Sequence, residues 1–154
     1  MTKRILFVCW GNICRSPMGE QVARDWFERA GLDVEVGSSG VSAEESGNRI
    51  DSRAARILRA HGYEVGPHRA QQITAADIEA ADMVLGFEPL HVSRMRRIAP
   101  DAENLHLVTD FDPDAVPGSG IEDPWYGPAS GFDDTLADIE AAMPGIIQAV
   151  RELQ

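Results

Sequence analysis

Ile5 to Val8 is a short, unbroken apolar run rich in β-formers, the pattern of a strand buried on both faces in a parallel sheet. Helical spacing follows it directly. Behind Ser16 and Pro17, a pair suited to a helix start, Met18, Val22, Trp26 and Ala30 recur every four residues with Ala23 and Phe27 beside them, and Gly31 closes the helix. The same alternation repeats along the chain. Val34 to Ser38 reads as a strand, Ser52 to His61 as a helix ended by Gly62, Met83 to Leu85 as a strand, Pro89 to Ile98 as a helix and Leu105 to Val108 as a fourth strand. From Gly131 the spacing of Phe132, Leu136, Ile139, Met143, Ile146, Ile147, Val150 and Leu153 predicts a long closing helix, with Pro144 as a candidate kink. Strands alternating with helices predict an α/β fold built on a parallel sheet. Asp110 to Gly131 holds four prolines and four glycines, which predicts a functional loop rather than regular structure.

At 154 residues the chain is expected to form a single domain spanning 1–154. No apolar run approaches the roughly 18 residues of a membrane span. Gly11, Asn12 and Arg15 also end the apolar run behind Lys3 and Arg4 before a signal-peptide core of roughly 7 to 15 residues can form. The expectation is a cytoplasmic protein with no membrane association. Acidic residues outnumber basic ones 25 to 14, so a formal charge of -11 repels nucleic acid over most approaches, and any anionic ligand needs a local site. The two cysteines, Cys9 and Cys14, are too few for a disulfide framework or a four-cysteine zinc site. The four histidines lack paired metal-ligand spacing, so no metal is expected, and His61, His91 and His106 are read as surface or helix-end residues.

In open α/β sheets ligands sit beyond the carboxyl ends of the strands, which directs attention to Cys9-Trp10-Gly11-Asn12-Ile13-Cys14-Arg15-Ser16. A turn between strand and helix converges backbone N–H groups and the positive end of the helix dipole on one point, and phosphate suits such a cradle. Gly11 permits unusual backbone angles, Asn12 tolerates the left-handed region, and Arg15 can offer a fork of donors to two phosphoryl oxygens. The field that attracts phosphate also favours a thiolate, which makes Cys9 a nucleophile aimed at phosphorus, with the Ser16 hydroxyl placed to donate to its sulfur. A cysteine ending a buried strand is usually inert packing. Here the preceding strand, the internal Gly-Asn and the Arg-Ser-Pro opening an amphipathic helix together favour catalysis.

The segment Val8 to Pro17 closely resembles the signature of the low-molecular-weight protein tyrosine phosphatases. The resemblance continues through Ser38-Ser39-Gly40, Asp51-Ser52-Arg53-Ala54, His61-Gly62, His68-Arg69-Ala70, Phe111-Asp112-Pro113 and Asp123-Pro124-Trp125-Tyr126-Gly127, essentially the whole chain. It implies a four-stranded parallel sheet with helices on both faces and a cofactor-free reaction through a phosphocysteine on Cys9. It further implies that Arg15 clamps the phosphoryl group, that Asn12, Ser39 and His68 hold the loop in shape, and that Asp123 is the general acid and then base. Either Asp123-Pro124 or Asp112-Pro113 suits a turn, and only the Trp125-Tyr126-Gly127 that follows the first separates them. The resemblance also favours Cys14 as a resolving thiol for oxidised Cys9, against plain packing on the first helix turn. The implied partner is a phosphotyrosine-containing protein, with a tyrosine kinase among the candidates, and the implied state is a monomer or weak dimer.

Three places depart from the family pattern. Glu44 and Glu45 stand where an aromatic residue and a histidine are usual, leaving Trp10, Trp125 and Tyr126 as the candidate substrate wall. Gln71 replaces a usual arginine and Phe87-Glu88 a usual Met-Asp, both expected to lie outside the chemical step, while the glutamates near the mouth should repel acidic peptides. Three other functions compete. An arsenate reductase would need cysteines beyond position 14, a phosphoarginine phosphatase would call for threonine at Ile13, and a non-catalytic phosphate-binding module would have no use for Asp123.

Overall fold

The computed structural model describes residues 2–153. Alternation along the first strand, β1 (Lys3–Cys9), organises everything around it. Ile5, Phe7 and Cys9 join one apolar cluster, Leu6 and Val8 the other, and all five are almost fully inaccessible. β2 (Val34–Gly40), β3 (Met83–Gly86) and β4 (Leu105–Leu107) complete a single sheet in the order β2-β1-β3-β4, every neighbouring pair parallel. A sheet covered on both faces is the expected home of such unbroken apolar strands.

Three helices, α1 (Arg15–Arg29), α2 (Ser52–Ala60) and α5 (Gly131–Arg151), contribute Met18, Val22, Phe27, Leu58, Leu136, Ile139, Met143 and Ile146 to the cluster that receives Phe7. The opposite cluster takes Ile78 from α3 (Ala75–Ala80) and Met95 from α4 (Pro89–Ile98). Helix and sheet approach closely at Gly19, where a Cβ would stand 2.7 Å from the Phe7 ring. Gly31, at φ +71°, takes the left-handed turn that ends α1.

The α/β fold expected from the alternation is present, with helices on both faces. Differences are local. α3 was not anticipated, although Thr74 and Asp77 form a reciprocal capping box that the sequence pattern announces. β2 continues to Gly40, and the fourth strand stops at Leu107 because Val108 opens a short 3₁₀ turn, Val108–Phe111. α5 runs on through Pro144 without ending there. Among the described residues no helix is long and apolar enough to cross a membrane.

Candidate active site

β1 lies between β2 and β3, so the connections leaving the carboxyl ends of β1 and β3 diverge, and a crevice opens above Cys9. Five residues, Trp10 to Cys14, carry the chain from Cys9 to Arg15. Asn12 sits at their centre with φ +61°, the only described non-glycine residue in that region. Buried and part-buried polar bonds hold it there. Its Nδ2 donates to Ser16 Oγ (2.8 Å) and Ser38 Oγ (3.0 Å), its Oδ1 accepts from the Gln71 N–H (3.0 Å), and its carbonyl accepts from His68 Nε2 (2.6 Å). Ser38 in turn donates to Glu20 Oε1 (2.5 Å). β2 passes so close beneath the loop that a Cβ on Gly40 would lie 2.7 Å from the Trp10 carbonyl oxygen.

This network corrects two expectations. The hydroxyl that reaches Asn12 belongs to Ser38, not Ser39, because side chains alternate along β2 and neighbouring serines face opposite ways. Gln71 is not remote from the chemistry, since its backbone N–H fixes the Asn12 amide.

Cys9 Sγ lies 3.0 Å from Ser16 Oγ and accepts from the Ser16 N–H at 3.4 Å. The hydroxyl already accepts from Asn12, so its own proton is available to the sulfur. Cys14, the residue before α1, is buried, and this burial pushes its thiol pKa far up, with the charges of Asp51, Cys9 and Asp123 adding to the effect. It is therefore held as a protonated thiol beside Cys9.

Arg15 is 2% exposed, and one edge of its guanidinium is committed to the protein. Nη1 donates to Glu88 Oε2 (2.6 Å) and to the Ile121 carbonyl (2.9 Å), which uses both its hydrogens. Nη2 stands 3.4 Å from Asp123 Oδ2. Glu88 thus anchors Arg15, a contact that its expected place outside the chemical step did not include. Strand spacing could not show this, since the pair is 73 residues apart in the chain.

Asp123 accepts the Trp125 N–H through Oδ1 at 3.0 Å and opens the short turn Pro124–Tyr126. Arg53, paired with Asp51, lays its guanidinium over the rings of Trp125 (5.1 Å) and Phe132 (4.7 Å), tying the loop that carries Asp123 to α2 and α5. Asp123, Trp125 and Tyr126 line the cleft with Cys9, together with Trp10, Glu44, Glu45, Gly11, Ile13, Cys14 and Arg15. Trp10 donates its indole N–H to Glu44 (3.3 Å) and lies under the Arg94 guanidinium at 5.0 Å. Tyr126 is 87% exposed, so its ring is free to meet a substrate.

Every candidate wall and loop residue but Asn12 and Ser16 lines this one cleft, and those two lie directly beneath it. His91 is different: expected at the surface or a helix end, it lies on the first turn of α4 but fully buried. Arg53, Glu88, Ser38 and His91 are the residues that sequence reasoning missed at the site. Among the described residues no three His, Cys, Asp or Glu side chains gather as a metal ion would need.

Fold and site together define an α/β protein with a buried thiol where its first strand meets a tightly braced strand-to-helix loop. The family model described as low molecular weight phosphotyrosine protein phosphatase matches residues 4–154. A low molecular weight protein-tyrosine-phosphatase of Streptomyces coelicolor is 41% identical over 159 residues, covering 99% of this chain and 96% of that one. The crystal structure of a protein tyrosine phosphatase from Entamoeba histolytica superposes with a TM-score of 0.91 at 25% identity, covering 97% of each chain. The arginine phosphatase YwlE of Bacillus subtilis shares the fold, with a TM-score of 0.86 at 24% identity over 97% of this chain and 96% of its own. The chain belongs to the low molecular weight phosphotyrosine protein phosphatase family, and it is a hydrolase.

Proposed function

We propose that the protein hydrolyses phosphotyrosine in phosphoproteins through a phosphocysteine on Cys9. The observation that carries this is that Cys9, Arg15 and Asp123 line one cleft, with Arg15 Nη2 standing 3.4 Å from Asp123 Oδ2. In the first step the Cys9 sulfur forms a bond to phosphorus while the bond to the tyrosine oxygen breaks, and protonated Asp123 gives that oxygen its proton. Arg15 Nε and Nη2 receive the charge that gathers on the equatorial oxygens. In the second step water attacks phosphorus, the S–P bond breaks back to the sulfur, and the Asp123 carboxylate takes the proton from the water. Ser16 donates to the sulfur both as it attacks and as it leaves.

Aromatic Trp125 and Tyr126 at the rim and apolar Ile13 beside the cradle favour an aryl phosphate over phosphoarginine or phosphoserine. Cys14 serves as the resolving thiol: a sulfenic acid on Cys9, formed by a peroxide, condenses with the Cys14 thiol to a disulfide and releases water. Both cysteines are free thiols that line the same cleft. The site is expected to work in the cytoplasm on a phosphotyrosine-bearing protein, a tyrosine kinase among the candidates, as a monomer or weak dimer and without a cofactor.

The test is phosphate release from phosphotyrosine, phosphoserine and phosphoarginine peptides with no metal added, with Cys9→Ser alongside. Release from phosphotyrosine alone, abolished in Cys9→Ser, is expected. Turnover by Cys9→Ser near the parent rate, or preference for phosphoarginine, would overturn the reading.

A further inference from the structure

The anchor of Arg15 is itself held by a residue that neither the chemistry above nor the family comparison uses. His91 is fully buried, and its Nδ1 faces the backbone N–H groups of Phe87 (3.2 Å) and Glu88 (3.0 Å), accepting from both. A ring nitrogen that accepts two N–H bonds has no room for its own proton, so the imidazole carries its hydrogen on Nε2. That Nε2 is buried without a hydrogen-bond partner, and it stands 3.5 Å from Glu88 Oε2, the oxygen that also receives Arg15 Nη1. Burial and then the charge of Arg15 hold the His91 pKa down to about 3, which keeps the ring neutral at working pH. An unpaired buried donor aimed at a carboxylate is a contact waiting to close. A Glu88 movement of about half an ångström would bring it within ordinary hydrogen-bond range.

We propose that His91 is a positioning residue for phosphoryl binding: its backbone-locked ring presents Nε2–H to Glu88 Oε2, and so sets the angle at which Glu88 holds the Arg15 fork. The inference rests on reading the cleft as the phosphoryl site. Arg15 carries a full charge into a dianion, and its direction depends on Glu88 because the other Nη1 bond goes to a main-chain carbonyl that cannot follow it. A phosphoryl group drawing Arg15 into the cradle pulls Glu88 with it, and the His91 donor limits that travel.

The test is a double-mutant cycle read by calorimetric binding of inorganic phosphate, with kcat and KM on a phosphotyrosine peptide and thermal unfolding in parallel. His91→Asn keeps an acceptor near Nδ1 but has no donor at Nε2, whereas His91→Gln can place an amide N–H near Nε2. We expect His91→Asn to weaken phosphate about tenfold, the worth of one charge-assisted hydrogen bond, and His91→Gln to recover part of the loss even if it unfolds sooner. In a Glu88→Ala background His91→Asn should cost nothing further, since its route to Arg15 is gone. Full phosphate affinity in His91→Asn, losses that simply follow the unfolding temperature, or equal losses with and without Glu88 would overturn the proposal. The phosphate readout is independent of turnover. A parent that binds phosphate but hydrolyses no phosphotyrosine would refute the proposed activity while leaving the His91 result to stand or fall by the cycle.

Discussion

Replacing Asn12 separates the backbone demand of the loop from its side-chain demand. Asn12→Ala removes two buried donated bonds, to Ser16 and Ser38, and strips the Gln71 N–H of its acceptor in a part-buried bond. At about 0.5–1.5 kcal/mol per lost bond, with the two buried bonds to Ser16 and Ser38 towards the upper end, the side-chain loss comes to about 3 kcal/mol. Alanine must also hold φ +61°, where the left-handed region costs an ordinary L-residue about 1–2 kcal/mol and glycine almost nothing. Asn12→Ala should therefore fall about 4 kcal/mol below the parent and Asn12→Gly about 3 kcal/mol, reversing the usual order of alanine over glycine. Urea unfolding of the three proteins measures the differences, and thermal midpoints should drop by about 10 °C. Phosphate affinity should fall in both variants, because Ser16 loses the bond that turns its proton towards Cys9. An Asn12→Ala protein as stable as Asn12→Gly, or either within about 1 kcal/mol of the parent, would refute the account of the loop.

Asp123→Ala should slow phenyl phosphate by about 10²–10⁴-fold, and an ester with an acidic leaving group far less; equal losses would remove Asp123 as the proton donor. Glu44→Gln with Glu45→Gln should raise kcat/KM several-fold for a phosphotyrosine peptide flanked by acidic residues, on the order of one screened charge contact, and this gain should shrink in high salt. An unchanged ratio between acidic and neutral peptides would show that the two glutamates do not face the substrate. His91 also predicts an acid sensitivity. Its folded pKa of about 3 lies below an unfolded value near 6.5, so the unfolded chain binds the extra proton between those limits. Its contribution to stability is complete above pH 6.5 and falls as the pH drops, by about 2 kcal/mol at pH 5. In His91→Asn that part of the slope should vanish in unfolding curves taken between pH 5 and 7.

Much of the site could be read from the chain because it is local. Cys9, Gly11, Asn12, Arg15 and Ser16 lie within one strand-turn-helix unit, so spacing alone brings a thiol, a flexible turn and a guanidinium to the same point. Asp123 was legible only through the residues that follow it, since its partners across the cleft lie more than a hundred positions away in sequence. Ser38 and Ser39 were indistinguishable without the register of β2, where a step of one residue exchanges the faces.

The α/β alternation, the buried sheet and the strand-to-helix loop are written locally in the chain, because apolar periodicity and turn chemistry act over a few residues. Long-range packing is what sets Glu88 against Arg15, lays Arg53 over Trp125 and buries His91 with an unpaired Nε2. Each depends on where the end of one strand or helix comes to rest against another. No local pattern encodes such a meeting: a charged or polar side chain looks the same in a sequence whether packing leaves it in water or encloses it beside a distant partner.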